Sequence, residues 1–135
     1  MKPLTRDWVE KAEGDFLVAS QIMRRHQQRV YAAACFHCQQ TIEKYFKARL
    51  FEAGLPFPKT HDLVVLLHLL LPVEPLWKAY EAAAKGLTEY AVSFRYPGDN
   101  ATLAEARLAL KHCRSLRAEV RRSLGLKIES KNSRA

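Results

Sequence analysis

The stretch VYAAACFHCQQTIEKYFKARLFEAG, residues 30 to 54, decides the fold. Its first half, Val30 to Cys38, is apolar almost all round, with His37 as the one polar interruption. A helix of that composition is packed on several sides, whereas a surface helix carries a single apolar stripe. The second half mixes charged residues with Tyr45, Phe46, Ala48, Leu50 and Phe51, and Gly54 followed by Pro56 terminates it. One long helix from about Val30 to Ala53 is expected, at the centre of whatever the rest of the chain builds.

Working outward, the flanking segments also read as helices. Upstream, Trp8, Ala12, Phe16, Ala19 and Met23 recur at steps of three or four, the period of one buried helix face, and Asp7 with Glu10 has capping-box spacing. This first helix runs to about Arg25, and the polar turn HQQR leads into the central one. Downstream, Thr60 is placed to cap a short helix from about Asp62 to Leu71, which Pro72 stops. Leu76, Tyr80, Ala83, Leu87, Tyr90 and Phe94 predict a fourth helix, which must end near Phe94 because Pro97 disfavours helical geometry at Tyr96. After Gly98, Leu103, Ala106, Leu110, Cys113, Leu116, Val120 and Leu124 form the stripe of a fifth, and Gly125 ends it. The expected fold is all-α: four long helices as an up-and-down bundle, with the short third helix across one end. Residues 1–126 form the one domain, and 127–135, KIESKNSRA, lack a core-forming pattern and are expected to be a mobile basic tail.

Composition sets the surroundings. A chain of 135 residues has room for one core, and 48% hydrophobic residues suit a globular fold. The longest apolar run, Leu63 to Leu71, is broken by His68 and falls short of the roughly 18 to 20 residues of a membrane span. The N-terminal MKPLTRDW lacks an apolar signal region, so a cytoplasmic protein without membrane contact is expected. The formal net charge of +8 favours phosphate or an acidic partner without choosing between nucleotide, nucleic acid and protein. Cys35, Cys38 and Cys113 cannot all pair within one chain, and their apolar surroundings suit reduced core residues. Cys35, His37 and Cys38 superficially suggest a metal site, with His112 and Cys113 as further ligands, but they fall on apolar helix faces and not on turns. No metal and no cofactor are expected.

Four pieces in order carry a resemblance: Trp8 with Asp15-Phe16, QQTIEKYFKARL (39–50), KTHDL (59–63), and FRYP (94–97) before a final amphipathic helix. Over about residues 5 to 125 the chain resembles the HEPN domain. That resemblance implies a helical bundle, a homodimer, a small nucleotidyltransferase partner encoded alongside, and nucleotide binding or RNA cleavage. RNA-cleaving members carry an Arg and then, after four to six intervening residues, a His near the start of the last long helix. Counted from Arg95, those positions hold Asn100, Ala101 and Thr102, none of them a His.

The residues themselves admit two readings of FRYP. Arg95 can bond the last carbonyls of its helix or grip a phosphate through two hydrogen bonds, and Tyr96 can pack in the core or offer its ring to a base. Pro97 stiffens the turn and Gly98 permits close backbone approach. Arg107 and His112 match the nuclease spacing numerically, but inside one helix they point about 140° apart. Arg107 also belongs to a basic stripe with Lys111, Arg114 and Arg121 that reads as a solvated face. His61, beside Lys59 at a helix start, is the better functional histidine, placed where backbone N–H groups can help receive an anion. On the central helix, Gln40, Glu43, Lys44 and Lys47 read as a solvated side with a Glu43–Lys47 surface pair, a dimer contact being the competing use. Phe36, Tyr45, Phe46 and Phe51 exceed what three neighbouring helices need cover, which favours self-association.

The expectation is therefore a homodimeric nucleotide- or RNA-binding module, acting with a small nucleotidyltransferase in a toxin–antitoxin-like pair. Its ligand residues are Arg95, Tyr96, His61 and Lys59, facing one another across one anion site, and no catalytic residue is assigned. The alternatives are a metal-independent ribonuclease that uses Arg95 with a histidine from elsewhere, and a purely structural dimer.

Overall fold

The computed structural model describes residues 1–94 and 96–128; Arg95 and residues 129–135, most of the expected tail, lie outside them. Five α-helices follow in order: α1 (Pro3–Arg24), α2 (Tyr31–Glu52), α3 (Leu63–Leu70), α4 (Glu81–Thr88) and α5 (Leu103–Ser123). Short 3-10 turns at Gln28–Val30, Pro75–Tyr80 and Glu89–Ala91 join them, and no strand occurs among the described residues. Nor is any described helix long and apolar enough to cross a membrane.

The all-α bundle forms around α2, which packs on α1, α5 and α3. Ala34, Cys35, Cys38, Ile42, Tyr45, Phe46, Ala48 and Leu50 of α2 are all buried, so the apolar sequence of residues 30–54 is covered on several sides. Ala12, Phe16 and Ala19 cover it from α1, and Ala106, Leu110, Cys113, Leu116 and Val120 from α5. The three cysteines are free and buried.

The helix boundaries follow local chemistry that the apolar periods do not show. α1 starts with Pro3 in its first turn, earlier than Asp7, and Glu52 at the end of α2 accepts from the Lys2 N–H (3.0 Å) and Thr5 hydroxyl (2.8 Å). Asp7 therefore lies inside the helix and caps nothing. Asp62, not Thr60, caps α3 through bonds from the Val64 and Val65 N–H groups, while Thr60 accepts from Asp62 N–H (3.1 Å). The expected fourth helix is three pieces. Thr88 and Ser93 turn their hydroxyls back onto the carbonyls of Ala84 (2.9 Å) and Glu89 (2.7 Å), a contact that bends helices, and Pro75 opens a 3-10 turn. Leu76, expected on the buried stripe, is 86% exposed.

The chain past α5 is tied down for as far as it is described. Gly125 takes a left-handed φ of 73° and reverses the backbone. Lys127 then offers its carbonyl to Arg121, and Ile128 offers its own to Arg117 at 2.7 Å.

Candidate functional site

Three carboxylates, buried or half-buried, line up along α2, and each organises a cluster. Glu13 of α1 takes both ends of the Arg117 guanidinium at 2.7 Å and the Tyr45 hydroxyl at 2.6 Å, and Arg121 donates to Tyr45 at 2.8 Å. Arg117 also lies over the Phe16 ring, 4.3 Å from its centroid. Asp15 of α1 holds His37 Nδ1 at 2.7 Å and the Lys44 ammonium. Glu43 of α2 holds His61 Nδ1 at 2.8 Å, Gln39 Nε2 at 3.1 Å and, through its other oxygen, Lys47 Nζ at 3.0 Å. Burial pushes all three carboxyls up, but the donors and cations around them outweigh it and hold each below its ordinary value.

The Glu43–Lys47 pair is thus not the solvated surface pair expected: Glu43 and Lys47 are both buried. The physical reason is the company they keep. Polar residues set among Tyr45, Phe46 and Ala48 on a helix covered from several sides have no solvent to face, so they must pair internally. Arg121 likewise leaves the expected solvated stripe to join the Glu13 cluster, whereas Arg107, Lys111 and Arg114 are exposed. The Arg107–His112 pair stays within α5, with Arg107 exposed and His112 half-buried, its titration lowered by burial and Lys111.

One member of these clusters is mostly exposed. The His61 side chain is 72% exposed although its Nδ1 is tied to a carboxylate only 5% exposed. Gln39 Nε2 also donates to the His61 carbonyl at 3.0 Å, so the backbone beneath the ring is fixed as well. Lys59 is exposed two residues earlier. The start of α3 offers no open N–H groups for an anion, because the Leu63 N–H donates to Thr88 Oγ1 and the next two to Asp62. An anion at the start of α3 must be received by side chains.

The FRYP loop has a different build. Phe94 holds a left-handed φ of 62°, unusual for a bulky residue, and stacks on Tyr90 with centroids 6.0 Å apart. Tyr96 is 76% exposed, its backbone N–H donating to Asp99. Asn100 stitches the loop to the start of α2: its side chain accepts from Ala32 N–H at 3.1 Å and donates to the Gln28 carbonyl at 2.9 Å. Ala101 is buried, and Thr102 forms a capping box with Glu105 at the start of α5. The three positions where a nuclease histidine is sought therefore all have structural work: stitching, filling and capping. Arg95 lies outside the described residues.

The loops meet α2 at different heights. Asn100 bonds at Ala32, and His61 bonds at Gln39 and Glu43, so about 10 to 16 Å of helix rise separates the anchors. No hydrogen bond joins Tyr96 to Lys59 or His61 among the described residues. Nor do any three described His, Cys, Asp or Glu side chains group so as to hold a metal ion.

A family model for the HEPN domain matches residues 5–123. This chain belongs to the HEPN family. The crystal structure of TT1696 from Thermus thermophilus resembles this HEPN domain with a TM-score of 0.75 and 26% identity, over 87% of this chain and 96% of that one. Comparison with curated proteins returned no match. HEPN membership supports a nucleotide- or RNA-related module in general.

Proposed function

We propose that this HEPN domain is a homodimeric nucleotide- or RNA-binding module of the cytoplasm, working with a small nucleotidyltransferase in a toxin–antitoxin-like pair. The observation that carries the binding reading is the exposed His61 imidazole, aimed outward by a buried carboxylate 2.8 Å away, with the exposed Lys59 beside it. A histidine needed only for folding gains nothing from such exposure. Arg95 supplies a phosphate clamp and the exposed Tyr96 a stacking face. The separation of the loop anchors along α2 favours a strand that touches both loops over a single anion held between them.

Self-association rests on less aromatic surface than the sequence suggests, since Tyr45 and Phe46 are fully buried within one chain. Among the apolar residues left exposed, Phe36, 40% exposed, and Val92, 61% exposed, lie by a shallow groove of about 370 Å³ lined by Ala32, Ala33, Phe36, Ala91, Ser93 and Phe94. A second copy placed there covers this apolar surface. Sedimentation at micromolar concentration is expected to give a dimer, and a species of 15.5 kDa alone would remove that part of the proposal.

Binding is tested by calorimetric titration of ATP, GTP and a short RNA into the wild type, Arg95→Ala and His61→Ala at fixed salt. Arg95→Ala is expected to bind at least tenfold more weakly, as loss of a charge-assisted contact of about 1.5–3 kcal/mol implies, and His61→Ala to bind the RNA roughly five- to tenfold more weakly, as loss of one hydrogen bond implies. Equal affinities in all three proteins would reduce FRYP to a helix stop. Co-purification of a small nucleotidyltransferase with the tagged protein from its native host checks the partner, and its absence would remove that part of the proposal.

A second reading, a metal-independent ribonuclease, is favoured by the same Glu43–His61 pair, because a carboxylate-oriented imidazole can act as a general base. The positions expected for the local histidine are occupied by Asn100, Ala101 and Thr102, so weak or no RNA cleavage is expected. Robust cleavage lost in His61→Ala would establish the second reading in place of the first.

A further inference from the structure

We propose that the Glu43–His61 pair reads the ribose 2′-hydroxyl of a bound strand and so makes the site selective for RNA over DNA. This rests on the reading above, that the loop carrying Lys59 and His61 touches the ligand. The chemistry begins with Glu43. Its carboxylate accepts from His61 Nδ1, Gln39, Gln40 and Lys47, and with these donors around it the group is ionised at neutral pH. An ionised carboxylate can only accept, so the proton of the 2.8 Å contact belongs to Nδ1.

A neutral imidazole with its proton on Nδ1 has a lone pair on Nε2, and the 72% exposed ring presents that edge to solvent. A lone pair cannot bond a phosphate oxygen, which is also an acceptor. It takes an O–H or N–H. Where a phosphate of a strand sits on Lys59, the donor nearest that phosphate is the hydroxyl of the attached ribose, a group that DNA lacks. The charged groups of this corner are Glu43 and Lys47 from α2 and Lys59 and Asp62 from the loop, and Asp62 is committed to the Val64 and Val65 amides. Gln39 holds the His61 carbonyl at 3.0 Å, so the acceptor is positioned before any ligand arrives.

The test is fluorescence anisotropy at pH 8 and fixed salt, with an eight-nucleotide single-stranded RNA and its deoxyuridine-containing DNA counterpart, on the wild type and His61→Phe. The wild type is expected to bind the RNA roughly five- to tenfold more tightly, the worth of one added hydrogen bond. His61→Phe should lose the preference and bind RNA and DNA alike. Equal wild-type affinities, or equal weakening of both strands by His61→Phe, would overturn the hydroxyl reading while leaving the ligand site in place. No binding of either strand by the wild type would remove the site and the inference together. Independently, a long-range ¹H–¹⁵N spectrum at pH 8 should show His61 protonated on Nδ1, and the opposite tautomer would overturn the proposal without reference to any ligand.

Discussion

Glu13 and Glu43 are surrounded alike and end differently. Each is a carboxylate set into the bundle, bonded by three or more donors and held below its ordinary titration range. Around Glu13 the cations are covered, with the Arg117 side chain 5% exposed and that of Arg121 12% exposed, and they join α1, α2 and α5. Around Glu43 one partner, Lys47, is covered and the other, His61, is 72% exposed. The burial of a carboxylate therefore says little about its purpose. The exposure of its partner separates a cluster that fastens helices from one that aims a side chain at solvent.

The comparison is broken first at Arg117. Arg117→Met leaves Glu13 with only part of its pairing and is expected to cost about 3 kcal/mol, lowering the melting temperature by roughly 10 °C. A change below about 1 kcal/mol would mean that the Glu13 cluster does not fasten the bundle. Next comes acid. Because Glu13, Asp15 and Glu43 titrate below their ordinary values when folded, the stability they contribute is present above the unfolded carboxylate range and is lost as pH falls from that range through their lowered folded values. Melting curves from pH 7 to pH 3 should show this loss, and Glu43→Gln should flatten the acid limb. An unchanged limb would deny Glu43 its part.

Smaller effects sharpen the contrast. Asn100→Ala removes two bonds between the FRYP loop and α2 and should cost about 1 kcal/mol, read as a melting shift of a few degrees. His61→Ala should leave stability within about 0.5 kcal/mol, since the side chain is mostly solvated. A larger loss there would place the Glu43 cluster with the structural one.

Much of the fold is legible in the order of residues, and less of the site is. The apolar periods of Trp8 to Met23 and Leu103 to Leu124 mark α1 and α5 because a buried face repeats with the helix. The breaks after Thr88 are hidden, because Tyr90 and Phe94 keep helical spacing while hydroxyl contacts bend the backbone. Arg117 and Glu13 meet across 104 positions of sequence, and no local spacing announces such a pair. A signal does exist for Glu43 and Lys47: charged residues interleaved with Tyr45, Phe46 and Ala48 on an all-round buried helix have to pair inside. His61 is legible as exposed and polar, but its orientation depends on a carboxylate of another element.

The central claim is that His61, aimed by Glu43, serves binding, whereas the partners of Glu13 serve stability alone. Titrating one short RNA into the wild type and His61→Ala, with a melting curve on each protein free of RNA, tests it most directly. The prediction is an affinity roughly five- to tenfold lower in His61→Ala with the melting temperature unchanged within about 2 °C. Unchanged affinity together with a lowered melting temperature would contradict it.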